Sequence, residues 1–142
     1  VPSVVADNHG GGLAAGRALI AAGHRRIGFV GPMKADTVRA RLEGLRDAVG
    51  DAGLPFDRSL ALDMKVEPNT EWRLATERCT RELLERPDRP TAIFYANDQI
   101  AADGIRALRE SGYRVPHDIS VCGFDDDVVA SYLEPALSTV RQ

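Results

Sequence analysis

Two clusters of polar residues stand where apolar, strand-like segments end. Ala96-Asn97-Asp98-Gln99 follows the apolar run 92–95, and Gly123-Phe124-Asp125-Asp126-Asp127 follows the run 119–122. Amide and carboxylate side chains can hydrogen-bond a small polar molecule. In an open parallel sheet, ligands bind outside the carboxyl ends of the strands. Asn97 and Asp125 are therefore candidate ligand-binding residues, and capping of a following helix is the alternative role of the acidic run.

Three further side chains have the chemistry to hold such a molecule. Arg39 and Arg41 follow the loop 31–36, and a planar guanidinium can grip a diol or a carboxylate through two hydrogen bonds. Arg39 is better explained as a surface residue, whereas Val38 and Leu45, three and four positions from Arg41, favour an enclosed place for Arg41. Trp72, the only tryptophan, can pack its ring against a sugar, although a core or lid role fits it equally well.

The rest of the sequence shows no catalytic or metal-binding pattern. The three histidines are isolated from one another, and no serine lies in a nucleophile-elbow context. The glycine run 10–12 matches neither the Walker pattern nor a dinucleotide-binding fingerprint, and it predicts flexibility or close packing. The consecutive acids 125–127 lack the spacing of a calcium loop. We therefore expect no enzymatic activity, no cofactor and no metal.

Composition is typical of a soluble globular protein of one domain. The chain has 142 residues, of which 44% are hydrophobic and 27% charged, and its formal net charge of −3 argues against a dedicated nucleic-acid surface. Two well-separated cysteines predict reduced thiols in a cytoplasmic protein. No segment approaches the roughly 18 apolar residues of a membrane span. The first eight residues lack the features of a signal peptide, and we expect them to continue a strand from a longer chain.

Helical and strand-like segments alternate along the chain. Helices are predicted at residues 16–22, 37–52, 71–85 and 98–110, the last of them capped by Asp98, and strands at residues 27–31, 60–66, 91–95 and 119–123. A short helix is expected after Asp125 and an extended tail at residues 135–142. Strands joined by helices of this length form right-handed βαβ units. The predicted fold class is α/β, a doubly wound parallel sheet with helices on both faces.

Several phrases of the sequence occur together, in the same order, in one known family. They are residues 23–31 (GHRRIGFVG), 41–44 (RLEG), 89–93 (RPTAI), 96–101 (ANDQIA), 115–126 (VPHDISVCGFDD) and 135–140 (PALSTV). Together they cover nearly the whole chain. In this order they resemble the lactose/galactose repressor (LacI/GalR) family of bacterial transcription regulators.

The resemblance implies a periplasmic-binding-protein-like effector domain, in which two α/β subdomains joined by crossing strands hold a ligand in a cleft. Residues 1–142 would form its C-terminal subdomain, and the N-terminal helix-turn-helix and N-terminal subdomain would lie outside this sequence. The resemblance further implies a cytoplasmic homodimer that binds a small effector, either a sugar or a nucleobase-like molecule. Such a protein contacts operator DNA only through its helix-turn-helix, and it uses no cofactor and no membrane.

The resemblance also implies roles for individual residues. Arg41 matches the arginine that grips the effector, Asn97 the amide at the cleft, and Asp125 the carboxylate that binds sugar hydroxyls or a base. Thr37 falls where some members contact their effector. Trp72 is the nearest match, displaced by one or two residues, to the aromatic residue expected at the start of the third helix.

Three questions stay open at the level of the sequence. The effector can be a sugar, a nucleobase or a phosphorylated sugar. A sugar-binding protein of a transporter and an α/β-fold enzyme are the alternative functions, and an upstream helix-turn-helix or signal peptide would separate the regulator from the transporter protein. The fourth helix matches part of the family's dimer surface, and core packing is the other interpretation, although both can hold for different faces of the helix: Ile100, Ala101, Gly104, Ile105 and Leu108.

Overall fold

The computed structural model describes residues 7–124 and the backbone of residues 138–140. The strands are β1 (Ile27–Gly31), β2 (Ala61–Asp63), β3 (Ala92–Tyr95), β4 (Ser120–Phe124) and β5 (Ser138–Val140). The helices are α1 (Asn8–Ala21), α2 (Asp36–Asp51), α3 (Trp72–Leu84) and α4 (Asp98–Glu110), with one 3-10 turn at Arg58–Leu60.

The five strands form one parallel sheet in the order β2-β1-β3-β4-β5. Helix α1 packs on α2, and α3 packs on α4, so that helices cover both faces of the sheet. Strand β1 is buried along its whole length, as expected of a parallel strand that is covered on both sides. The predicted fold class is confirmed.

The strand order reverses between β1 and β3. The chain passes from β1 to β2 on one side, and then returns to place β3 on the other side of β1. Such a switch point leaves a crevice outside the carboxyl ends of the two strands. A Cβ atom at Gly31 would lie 2.6 Å from the Cβ of Ala96. The two strand ends therefore approach each other too closely for a side chain at Gly31.

Aromatic rings fill the centre of the core. The rings of Phe29 and Phe94 meet edge to face with their centroids 5.3 Å apart, and Phe94 stacks on Phe124 at 6.5 Å. Tyr95 is fully buried, and its ring lies where a side chain at Gly104 would otherwise stand. These contacts join β1, β3, β4 and α4 into one hydrophobic core.

Most predicted elements are confirmed, with differences at their ends. Gly23, Gly53 and Gly112 end α1, α2 and α4 with positive φ, as glycine stops do. Helix α1 begins at Asn8, eight residues before its predicted start, because the Asp7 carboxylate accepts a hydrogen bond from Gly10 N and caps the glycine run. The short helix expected after Asp125 lies outside the described residues.

The structure corrects one prediction about α4 and shows core packing for the five residues whose role was left open. Its N-cap is Asn97 and not Asp98, which is the first helical residue. The residues that matched a dimer surface are buried within the chain, so the alternative of core packing is the one observed: Ile100, Ala101, Gly104, Ile105 and Leu108. These side chains cannot form an exposed dimer surface, because they pack on the sheet.

Candidate functional site

Arg41 is a buried arginine at the carboxyl edge of the sheet, with 7% of its surface exposed. Its Nε donates a hydrogen bond to Asn8 Oδ1 at 3.0 Å, and its Nη1 donates to the carbonyl oxygen of Ala96 at 2.5 Å. Its Cζ lies 3.8 Å from the centroid of the Phe124 ring. A buried cation needs such partners, because burial removes it from water. Arg41 therefore joins α2 to α1, to the end of β3 and to the end of β4.

Close packing of α1 on α2 determines where Arg41 lies. A Cβ atom at Gly12 would collide with the backbone carbonyl of Arg41, and one at Gly44 would collide with the carbonyl of His9. The two helices thus touch backbone to backbone at these positions. The sequence predicted flexibility or close packing for the glycine run, and the structure shows close packing within a helix.

Asn97 also stands at the carboxyl edge, directly after β3, and is half-buried. Its Oδ1 accepts a hydrogen bond of 2.9 Å from Ile100 N and caps α4. The side-chain oxygen of Asn97 is therefore engaged, and the hydrogens of its Nδ2 are the groups that it can offer to a ligand. Since Ala96 O accepts from Arg41, the backbone just before Asn97 is tied to the arginine.

Thr37 lies in the first turn of α2 and is exposed. It stands four residues before Arg41, so that the two side chains share one face of the helix. Arg39 takes a different role, because its Nη1 donates to the carbonyl oxygens of Met33 and Lys34 at 2.7 and 3.0 Å. It stabilises the loop between β1 and α2, in keeping with its interpretation as a surface residue.

The described contacts do not bring Trp72 to Arg41. Trp72 is the first residue of α3 and is 44% exposed. Helix α3 belongs to the layer that packs with α4, whereas Arg41 belongs to the layer of α1 and α2. Asp125 lies outside the described residues, directly after Phe124.

The described residues hold no other arrangement that rivals this edge. No group of three or more His, Cys, Asp or Glu side chains among residues 7–124 could hold a metal ion. A cavity of about 430 Å³ opens at the amino end of β1, where Arg25, Asp57 and Phe56 contribute to its wall. It lies at the end of the sheet opposite to the crevice of the switch point, and the predicted site residues do not line it.

Comparison with known proteins gives the family. A sequence profile of the periplasmic binding protein-like domain matches residues 17–142. The chain belongs to this family. The matched range includes the arginine of α2, the amide after β3 and the acidic run that follows β4. No helix of the described part is both long enough and apolar enough to cross a membrane.

Members of this family similar to the chain are transcription regulators. The HTH-type transcriptional repressor PurR of Haemophilus influenzae (strain PittEE) is 37% identical over 141 residues, which are 97% of this chain and 40% of PurR. A sugar-binding transcriptional regulator of the LacI family from Escherichia coli, complexed with phosphate, has a TM-score of 0.86 and 35% identity over 98% of this chain and 49% of its own. The transcriptional regulator CelR, in complex with cellobiose, has a TM-score of 0.85 and 39% identity over 96% of this chain and 40% of its own.

These comparisons confirm the resemblance drawn from the sequence. The chain is homologous to regulators of the LacI family. It spans about 40% of the length of the curated relatives that it matches.

Sequence reasoning missed two residues of the site. Asn8 carries no pattern that distinguishes it, and its link to Arg41 spans 33 positions of the chain. Phe124 lies in the segment 123–127, of which only the acidic residues were considered as site residues. Its position directly before the candidate carboxylate of Asp125 was the signal that could have identified it.

Proposed function

We propose that this chain is the C-terminal subdomain of the effector-binding domain of a LacI-type transcription regulator. It binds a small effector, for which a sugar is the favoured chemical class. The observation that carries the proposal is the buried Arg41 guanidinium at the switch point of the sheet, where ligands of open α/β sheets bind. The sugar-binding regulator and the cellobiose complex among its structural relatives favour a sugar over a nucleobase.

Arg41, Asn97 and Thr37 supply hydrogen-bond donors in this site. Arg41 presents a fixed cation, Asn97 presents its amide hydrogens, and Thr37 adds a hydroxyl on the same face of α2 as Arg41. We assign to Asp125 the acceptor that sugar hydroxyls also need, and to Trp72 an aromatic face at the rim. These groups bind and orient a molecule without transforming it, so the function is sensing and not catalysis.

In this proposal the effector acts on DNA binding at a distance. Effector binding changes the closure of two subdomains, and closure changes the DNA affinity of a helix-turn-helix in the same cytoplasmic protein. This chain alone then gives no sequence-specific shift of operator DNA at physiological salt. The complete protein does give one, and it responds to the effector.

A ligand screen on the complete protein tests the proposal. Thermal shift against sugars, sugar phosphates and purines identifies a ligand, because a molecule that binds only the folded state raises the melting temperature. Calorimetry then compares the parent protein with Arg41→Lys and Asp125→Ala, and we expect each to lose at least about tenfold in affinity, or about 1.4 kcal/mol. If a purine binds and no sugar does, the assignment of a sugar as the effector is wrong. If both variants keep the affinity of the parent, the assignment of Arg41 and Asp125 to the binding site is wrong.

We also propose that the regulator is a homodimer. The exposed large hydrophobic residues among the described ones are Trp72 and Leu74, on the first turn of α3, with 44% and 49% of their surfaces exposed. Since Trp72 is assigned to the rim of the ligand site, Leu74 is the apolar side chain that a partner surface would cover. Sedimentation equilibrium tests this, since Leu74→Glu should yield monomers while the exposed substitution Arg81→Glu should not. A parent protein that stays monomeric at all concentrations would contradict the dimer.

A further inference from the structure

We propose that Asn8 is a positioning residue for the ligand site: it sets the orientation of the Arg41 guanidinium through the hydrogen bond from Arg41 Nε to its Oδ1. The inference rests on the proposed function only in that Arg41 touches the ligand. The orientation of Arg41 itself is a property of the free protein. Nothing in the sequence pattern gives Asn8 a part in the site.

Within the described residues, contacts from three separate parts of the fold hold the guanidinium. Nε donates to Asn8 on α1, Nη1 donates to the carbonyl of Ala96 after β3, and the ring of Phe124 at the end of β4 lies under the cation. A guanidinium is planar, so two hydrogen bonds from different nitrogens fix its rotation within its plane. The aromatic ring limits its tilt out of that plane.

Of these three contacts, only the one with Asn8 depends on a side chain that acts directionally. The carbonyl of Ala96 belongs to the backbone and persists whatever side chain stands there. The face of Phe124 attracts the cation without selecting its rotation. Among the described residues, the Asn8 oxygen is therefore the side-chain acceptor that fixes the rotation of the Arg41 guanidinium, together with the Ala96 carbonyl.

The structure also holds Asn8 in place before any ligand arrives. Asn8 is the first residue of α1, where the preceding Asp7 caps the helix through a 2.8 Å hydrogen bond from Gly10 N. The close approach of α1 to α2 at Gly12 keeps the start of α1 next to Arg41. A prearranged donor loses less conformational freedom when the ligand binds, which favours affinity.

The first experiment needs no ligand. In ¹H–¹⁵N spectra of the full chain, the Nε–Hε signal of Arg41, assigned by its loss in Arg41→Lys, should be protected from exchange with water. We expect Asn8→Leu, which has a similar size but no acceptor, to speed this exchange at least about tenfold, a loss equivalent to about 1.4 kcal/mol. Asn8→Asp, which retains the acceptor oxygen, should restore the protection.

A matched control separates this effect from a general loss of stability. Asn69→Leu makes the same chemical change at an exposed loop position, and it should leave the Arg41 signal unaltered. Circular dichroism melts of all variants identify any that unfold. Exchange at Arg41 that is unchanged in a folded Asn8→Leu variant would overturn the proposal.

The second experiment uses cellobiose as the probe and the complete protein. If cellobiose binds the parent, Asn8→Leu should weaken it at least about tenfold and Asn8→Asp should restore it. Equal affinities in parent and Asn8→Leu would overturn the role of Asn8 in the site. If cellobiose does not bind the parent, that result bears on the proposed function, and the exchange measurement alone decides the orientation of Arg41.

Discussion

The hydroxyl groups of Tyr95 and Thr80 form a hydrogen bond of 2.8 Å in the core between β3 and α3. Both side chains are fully buried. Burial raises the pKa of Tyr95, which keeps its phenol neutral at physiological pH. The pair therefore joins a central strand of the sheet to the helix layer below it through a neutral polar contact.

We expect removal of both partners of this pair to destabilise the fold by less than the two single removals added together. Thr80→Val leaves the Tyr95 hydroxyl buried without its partner, which costs about 1–3 kcal/mol. Adding Tyr95→Phe removes that orphaned hydroxyl, and the double variant should lose less than the sum of the two single losses. Urea unfolding of the four proteins measures the difference, and strictly additive losses would refute this account of the pair.

Gly12→Ala should destabilise the protein, because its methyl group collides with the backbone of Arg41. Overpacking of this kind costs about 1–3 kcal/mol. Gly50→Ala is the matched control, since Gly50 lies in α2 with open space where its Cβ would stand. It should stabilise the protein by about 0.5–1 kcal/mol. Thermal unfolding of both variants compares them, and a neutral Gly12→Ala would disprove the backbone contact between α1 and α2.

Neither thiol should react in the folded protein. Cys79 and Cys122 are both free and buried. Burial raises the pKa of Cys79, and it raises the pKa of Cys122 to about 12, so the reactive thiolate is scarce. A colorimetric thiol reagent at mildly alkaline pH should label neither cysteine until denaturant is added, and both afterwards. Rapid labelling of the native protein would show that one of them is accessible.

Asp103→Asn should stabilise the protein at neutral pH and lose this effect in acid. Burial raises the pKa of Asp103 above 3.8, while Arg73 and Arg106 oppose and Glu77 adds to the shift. The folded state therefore binds the proton more tightly than the unfolded chain. Above the folded-state pKa of Asp103, its ionised carboxylate lowers the free energy of unfolding. This loss of stability disappears below pH 3.8, where the carboxyl group is protonated in both states.

The size and the test of this effect follow from the same linkage. The gain grows with the difference between the folded and unfolded pKa of Asp103, and solvent screening of a half-buried group keeps it small. Urea unfolding of the parent and the variant at neutral pH and below the ordinary pKa of Asp measures it. An equal gain at both pH values would assign the effect to packing and not to charge.

Local patterns of the sequence were sufficient for the elements and the fold class. The apolar run at residues 27–31 matches β1, the predicted helix at residues 98–110 matches α4, and the glycine stops occur where expected. These features depend on hydrophobic periodicity and backbone sterics over a few neighbouring residues. The start of α1 at Asn8 was missed, because a glycine run has low helix propensity, for which the Asp7 cap and the packing of α1 on α2 compensate.

The sequence by itself determined an α/β sheet with polar side chains at its strand ends, and it determined the family. Only the tertiary structure decided what those side chains do. It buried Arg41 between Asn8, the Ala96 carbonyl and Phe124, whereas the cap that Asn97 provides to α4 is a local contact with Ile100. The physical reason is distance along the chain, since the contacts of Arg41 span 33 to 83 positions and form only after parallel strands and helices have packed.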